Sequence, residues 1–403
     1  MYTEWNLAVK FLRDARGQTA MISVAITVGV AVIIYIVALI TGLQANMINR
    51  TLGTQAHIKV YAPKEINLPA PLENGELRLM LEDPRAQRLR SINNWQNLRD
   101  LFDADAELLA VSPLASGPAF AQRGTAHMSV ALIGIDPVRY QRVIPIANDI
   151  IAGEFRIGAG NAVVGSRLAD ELGLHVSDKL RIDAGGSDSG REAVLSVTGI
   201  FELGVRELDE RYIYLDLPQA QALLGLPGGI TTIDLLVPDV FSAERIAARL
   251  HHLTGLKVES WMQTNSQLMS ALKAQRLSTS MISFFVAISV AFGIASVLSI
   301  SIVQRTREIG ILRAMGATRR QMLTVFLLQG ALLGLAGAIA GSACSYALAW
   351  AFNTFGPGLF QIVIWPGLLI SASAIATLTG LIAAAIPARR AARLDPVAAI
   401  RYA

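Results

Sequence analysis

The sequence predicts an α-helical membrane protein with four transmembrane helices and a large α+β extracytoplasmic domain between the first and the second. Three observations predict it. Only 16% of the 403 residues are charged while 53% are hydrophobic, whereas a soluble domain usually carries about 25% charged residues. The deficit is confined to four apolar runs, Ala20–Gly42, Met281–Val303, Met322–Phe352 and Ile364–Ile386, none of which holds an Asp, Glu, Lys or Arg. Each reaches the roughly 20 residues that a helix needs to cross a bilayer core. Between the first two lies residues 43–280, with ordinary charge and short alternating apolar segments.

The first run follows Lys10, Arg13 and Arg16. Its apolar core is too long for a cleaved leader and no small-x-small site follows it, so it reads as a retained helix. Orientation follows from charge. Residues 1–19, 304–321 and 387–403 together hold 12 basic and 4 acidic residues of the chain's 35 and 31, leaving 23 and 27 elsewhere. The positive-inside rule places those three segments in the cytoplasm, and residues 43–280 and 353–363 outside. The pI near 9.3 reflects this topology and implies no nucleic-acid partner. The single cysteine, Cys344, permits no intrachain disulfide, so the external domain must stand on its own core.

Residues 1–19 read as an amphipathic helix at the inner face, with Trp5, Leu7, Phe11 and Leu12 on its apolar side and Lys10, Arg13 and Arg16 near headgroups. Packing of that side on the protein itself is an equal reading. After the first span (20–42) the helix continues through Leu43–Gly53, then His57–Pro63 reads as a strand. Residues 63–100, with Pro63, Pro69, Pro71 and Pro84, read as a surface excursion ending in a helix over Ser91–Phe102. Strands follow at 107–122, 126–136, 179–183, 193–204, 211–217, 231–237 and 256–259. Residues 161–174 read as a strand entering a helix with Ser166 as its cap; further helices are expected at 218–226 and 242–252. Strands and helices mix without βαβ alternation, hence α+β. Two lobes are expected, one from residues 43–65 and 230–280, the other from the insert between them. From Trp261 a helix runs into the second span (281–303).

Residues 304–321, QRTREIGILRAMGATRRQ, are the chain's most informative stretch. Ile309, Leu312 and Gly316 fall on one side of the helix, Ile311 and Met315 on another, with Arg305, Glu308 and Arg313 between. Mixed faces suit a helix gripped from two sides, by membrane helices and by a protein partner. Gly316 is placed to stop it and Thr318 with Gln321 to cap the next helix. That third span (322–352) carries Gly330, Gly334, Gly337 and Gly341, which make two small-xxx-small pairs that let helices approach closely. Gln329 is expected to bond to another helix. Trp365 and Pro366 open the fourth span (364–386), Pro387 closes it, and residues 387–403 form an inner tail.

Some chemistry is excluded. There is no G-x-x-x-x-G-K-[ST] run around any of the six lysines, so no P-loop for ATP. There is no H-E-x-x-H and no Cys/His cluster, and the adjacent His251 and His252 read as solvated; no metal site, cofactor or catalytic residue is expected. Residues 185–190, GGSDSG, read as a hairpin turn. Uncharged spans disfavour an ion-coupled transporter, so the energy must come from another chain.

The run Arg305–Met322, the glycine-rich span after it and the closing PARRAARLDPVAAIR resemble the permease domain shared by FtsX, MacB and the lipoprotein-releasing permeases LolC and LolE, and GIFELGVRELDERYIYLDLPQAQALLGL resembles the external segment of the LolC/LolE type most closely. The resemblance implies an ABC transporter permease working by mechanotransmission: a cytoplasmic ATPase subunit, in two copies and holding ATP and Mg, drives a change in the periplasmic domain. It implies that Arg305, Glu308, Ile309, Leu312, Arg313, Met315 and Gly316 form the coupling helix, with the Pro396-containing tail as a second inner contact. A second permease, identical or homologous, and a periplasmic carrier or adaptor would complete the assembly in the bacterial inner membrane. If the Lol-type likeness holds, acyl chains of a lipoprotein or other amphiphile would lie against Leu43, Met47, Ile48, Phe284, Phe285 and Ile288; ordinary helix packing or lipid contact accounts equally for those side chains. The alternatives are a MacB-like exporter subunit driving a tripartite pump and an FtsX-like scaffold that activates an external hydrolase.

Overall fold

The computed structural model of the chain describes residues 2–14, 16–62, 89–92, 94–185 and 191–393. In order, these form α1 (Tyr2–Asp14), α2 (Arg16–Gly53), β1 (Ile58–Tyr61), α3 (Trp95–Asp103), β2 (Ala110–Arg123), β3 (Ala126–Ile135), α4 (Pro137–Val143), β4 (Ile150–Gly153), β5 (Asn161–Gly165) and α5 (Ser166–Leu172). Next come β6 (Lys179–Asp183), β7 (Glu192–Phe201), α6 (Arg206–Arg211), β8 (Tyr212–Asp216), α7 (Leu217–Leu224), β9 (Thr232–Leu236), α8 (Ala243–Thr254) and β10 (Lys257–Ser260). The chain ends in α9 (Trp261–Thr264), α10 (Ser266–Gln304), α11 (Thr306–Ala314), α12 (Arg319–Phe355) and α13 (Pro366–Ala392). Two compact units result, residues 1–49 with 270–403, and residues 50–269.

In the helical unit, α2, α10, α12 and α13 are the described helices long and apolar enough to cross a membrane. Their core joins Ile26, Val30 and Ile34 of α2 to Ile294 and Leu298 of α10, Leu333 and Ala338 of α12, and Ala383 and Ala384 of α13. The glycines of α12 divide between two neighbours. A Cβ on Gly330 would meet the Gly380 carbonyl oxygen, and one on Gly334 would lie 2.7 Å from the Ala376 oxygen, both on α13. Gly337 faces Ile26, and a Cβ on Gly341 would lie 2.8 Å from that of Val30, both on α2. Ser345 of α12 donates to the Ala31 carbonyl at 2.8 Å, satisfying a fully buried hydroxyl. Gln329 is buried beside this seam.

Two sequence expectations change here. Pro387 does not end the fourth long helix: α13 runs from Pro366, with Trp365 at its N-cap, to Ala392, with Pro387 inside it. Proline removes one helical hydrogen bond and crowds the preceding turn. The surrounding Ala383, Ala384, Ala388 and Ala391 are small and buried, so packing holds the helix through it. The two readings of α1 also separate by residue. Ala8 and Phe11 are buried on the protein, the Phe11 ring 6.3 Å from that of Phe326, while Trp5, Lys10 and Arg13 remain exposed.

The second unit is built on a ten-stranded sheet, ordered β10-β1-β9-β2-β3-β8-β5-β7-β4, with β6 pairing both β2 and β7. The pairings β2-β3-β8-β5-β7-β6-β2 therefore close a circuit of six strands, a small barrel filled by Leu132, Leu180, Ile182, Leu195, Val197 and Ile213, all essentially inaccessible. Strands β9, β1 and β10 extend from it. The expected lobes are thus two parts of one continuous sheet in a single compact unit. The link is β2: its Ala110–Leu114 half pairs with β9 and its Leu114–Arg123 half with β3. A 14-residue strand is long enough to serve both.

The strands named in the sequence reading are present within a few residues, whereas α4, β4 and α6 were not anticipated, and there are smaller corrections. The helix expected over Ser91–Phe102 begins at Trp95. Ser166 is not a cap: Gly165 holds the N-cap position without a side-chain bond, and Ser166 is the first helical residue, buried with Leu168 and Ala169. Ser260 and Gln263 form a reciprocal capping box that starts α9. The proline-rich excursion at 63–88 and the turn at 186–190 lie outside the described residues; β6 and β7 pair antiparallel on either side of the latter.

The extension carries one polar row. Glu259, Lys59, Asp234 and Ser112 stand opposite one another across β10, β1, β9 and β2. Directly paired residues present their side chains on the same sheet face, and alternation sends Ile58, Val60, Ile233 and Leu235 to the other, where they are buried with Ile246 and Leu250 of α8.

Candidate functional site: the helix between two membrane-length helices

The helix α10 stops at Gln304 because the backbone at Arg305 leaves helical geometry, with φ −109° and ψ 18°. Thr306 reinforces the break by donating its hydroxyl to the Val303 carbonyl at 2.9 Å. The short α11 then ends in a paired cap. Ala317 N–H donates to the Leu312 carbonyl at 3.0 Å and Gly316 N–H to the Arg313 carbonyl at 3.2 Å, with Gly316 at φ +103°. Only glycine occupies that conformation without strain. Two residues on, Thr318 Oγ1 accepts from Gln321 N–H at 3.2 Å while Gln321 Oε1 accepts from Thr318 N–H at 2.8 Å, starting α12. The stop and the restart are therefore both fixed by local bonds.

The segment rests on a single apolar cluster. Ile309 of α11 packs with Ala8 and Phe11 of α1, Ile302 of α10, Met322, Val325 and Phe326 of α12, and Ala388, Ala391 and Ala392 of α13. Five helices thus meet at one point, which is why a nine-residue helix too short to be stable alone is ordered here. Charges are tied down around the cluster. The Arg305 guanidinium stacks on the Phe11 ring at 4.7 Å from its centroid and lies 3.7 Å from Asp14 and 3.6 Å from Glu308. Arg313 donates to the Ala392 carbonyl at 3.3 Å, placing a cation at the C-terminal end of α13.

The residues singled out in the sequence for coupling therefore divide. Ile309 points wholly inward, Arg305 is mostly covered, and Leu312 and Arg313 are half-buried. Glu308, Met315 and Gly316 are exposed, as is Ile311. Sequence reasoning missed Phe11 and Asp14 as the anchors of Arg305; the signal was the i, i+3 spacing of Ala8, Phe11 and Asp14 along one face of α1. A groove of about 360 Å³ runs between Leu7 and Lys10 of α1 and Leu312, Gln321 and Met322. The Pro396-containing tail lies outside the described residues.

Of the apolar residues singled out on the first two spans, Phe284 and Phe285 are exposed with their rings 5.7 Å apart, and Met47 is exposed. Leu43, Ile48 and Ile288 are half-buried. Nearby, Gln44 donates to Gln275 Oε1 at 3.4 Å, joining α2 to α10.

Comparison with known proteins matches this architecture in two pieces. The FtsX-like permease C-terminal family matches residues 280–396, and the MacB-like periplasmic core domain matches residues 19–253. The lipoprotein-releasing system transmembrane protein LolC of Xylella fastidiosa is 25% identical over 431 positions, covering 98% of this chain and 98% of that protein. The corresponding LolE of Haemophilus influenzae is 25% identical over 407 positions, covering 93% and 92%. The macrolide export ATP-binding/permease protein MacB of Escherichia coli is 21% identical over 424 positions, covering 97% of this chain and 59% of that one.

Proposed function

Since this chain belongs to the family that carries a MacB-like periplasmic core domain ahead of an FtsX-like permease segment, we infer that it is the permease subunit of an ABC transporter that releases lipoproteins or another amphiphile from the outer leaflet of the bacterial inner membrane. Energy comes from a separate ATPase subunit, in two copies, with ATP and Mg bound there. A second permease, identical or homologous, completes the membrane part. Both termini and α11 face the cytoplasm, residues 43–280 face the periplasm, and a periplasmic carrier or adaptor receives the substrate. The amphiphile's acyl chains lie against Leu43, Met47, Ile48, Phe284, Phe285 and Ile288.

The observation that carries this reading is α11: an ordered helix whose inner side packs on α1 and on three of the membrane-length helices, α10, α12 and α13, and whose other side presents Glu308, Ile311 and Met315. A push on that exposed side is delivered to those helices together, because the cluster under Ile309 is close-packed. The names of the LolC and LolE relatives, which match over nearly their whole length, favour lipoprotein release over macrolide export.

The test is charge reversal on the exposed side. Glu308→Arg is expected to leave the chain folded in the membrane while the ATPase no longer co-purifies, or hydrolyses ATP without releasing lipoprotein from proteoliposomes. Full assembly and full release would remove α11 from the coupling role.

A further inference from the structure

A cavity of about 550 Å³ lies within residues 50–269, over the polar row of the sheet extension. Its walls include Gln55, Lys59, Asp234, Glu207, Tyr61 and Tyr212. That volume falls in the range of small-molecule sites, roughly 300–1,000 Å³.

Two wall residues carry a polar atom that is left over. Asp234 is 2% exposed and its Oδ1 has no hydrogen-bond partner, nor has Nε2 of Gln55. Buried polar groups are almost always satisfied, and two unsatisfied ones in the wall of a single void point to a partner from outside the chain. The charges are arranged to match. Lys59 stands directly opposite Asp234 on the next strand, yet among the described residues no ion pair joins them. Glu259, on the other side of Lys59, is engaged by Lys257 at 2.7 Å. The cavity therefore holds a cation and an anion side by side, each in the other's field but not in ion-pair contact, with amide and hydroxyl donors around them.

A lone anion would meet Asp234 and Glu207; a lone cation would meet Lys59. A ligand bearing both charges meets neither penalty. We propose that this cavity binds a small zwitterion, with a primary ammonium on Asp234 and a carboxylate or phosphate, a few bonds away, on Lys59 and Gln55. Burial lifts the Asp234 carboxyl to about 6, an effect that Lys59 partly offsets; a bound ammonium would bring it back down. This inference stands independently of the transport reading.

The test uses the full chain in phosphatidylcholine nanodiscs, whose quaternary headgroups offer no N–H. Calorimetric titration with glycerophosphoethanolamine and with glycylglycine is expected to give saturable binding of at least one. Asp234→Asn and Lys59→Met are each expected to weaken it about tenfold or more, since both remove a charge-assisted hydrogen bond; near-ultraviolet dichroism reports whether each variant is folded, and Lys59→Met carries the test if Asp234→Asn is not. Repeating the titration in phosphatidylethanolamine nanodiscs separates the sources. Loss of the signal there identifies a bilayer headgroup as the occupant, and persistence identifies a free solute. The proposal is overturned if neither zwitterion binds, if both variants bind like the parent, or if inorganic phosphate alone binds as tightly.

Discussion

The Arg305 guanidinium sits over the ring of Phe11, 4.7 Å from its centroid, so the residue at which α10 breaks is held by the amino-terminal helix. Arg305→Lys keeps the charge and loses the planar stacking surface. It is expected to lower the midpoint of thermal unfolding in detergent slightly, by the ~0.5–2 kcal/mol of a partly desolvated cation–π contact. Phe11→Ala removes a buried aromatic and is expected to cost about 3–5 kcal/mol. An unchanged melting curve for Phe11→Ala would mean that α1 is not part of the cluster.

The stop and restart around α11 predict separate, modest penalties. Gly316→Ala forces a Cβ into a backbone at φ +103° with nothing else near it, so its cost is backbone strain alone, on the order of 1–2 kcal/mol. Thr318→Ala removes the cap of α12 and is expected to cost about 1 kcal/mol. Because the two devices are adjacent and act on one loop, the double variant is the informative measurement: additive losses in unfolding free energy mean that the caps act independently.

Glycines in the long helices predict opposite outcomes according to what faces them. Gly330→Leu and Gly380→Leu each drive a side chain into the opposing backbone of α12 or α13 and are expected to abolish the folded protein in detergent. Gly293 of α10 has nothing within 4 Å of an added Cβ, so Gly293→Ala is expected to raise stability by about 0.5–1 kcal/mol through helix propensity. Size-exclusion profiles and melting curves distinguish the two classes.

Asp234 predicts a pH dependence. Its carboxyl is lifted from 3.8 to about 6 by burial, with Lys59 opposing, while Tyr61, Tyr140 and Tyr214 around it are pushed up and stay neutral. The folded state therefore holds a proton that the unfolded chain has released. Stability contributed by that proton is present below about pH 4, falls as pH rises to about 6 and is level above it, a change on the order of 3 kcal/mol. Other acids titrate in the same window, so the measurement is the difference between the parent and Asp234→Asn across pH 4–7; parallel curves would contradict the assignment.

Much of this was legible in the sequence because the signals were strong and local. Four uncharged runs of membrane length, a glycine followed two residues later by Thr318-x-x-Gln321, and alternating runs bounded by turns each state their structure within a few residues. What was not legible depended on partners distant in the chain. Pro387 reads as a stop, and only the alanines packed around it let α13 continue. The closure of β6 between β2 and β7 joins strands more than fifty residues apart and leaves no periodic trace. Asp234 stood visibly out of place in the apolar strand TIDLL, but the meaning of that charge needed Lys59 opposite it. Ile309 and Met315 fall on different sides of a helix without a clean stripe, and nothing local says which side faces inward; burial alone separates the one that anchors from the one that is exposed.

The buried residues of α10 are Ile294, Leu298 and Ile302, all close to its Gln304 end. At 1.5 Å per residue those three span about 12 Å of a helix about 57 Å long. Beyond them α10 still touches α2, through Val286 and Val290 opposite Gly29 and through Gln275, which accepts from Gln44. A rod held at intervals along one neighbour cannot swing about a single pivot, so a displacement at the Ile302 end travels along α10 together with α2.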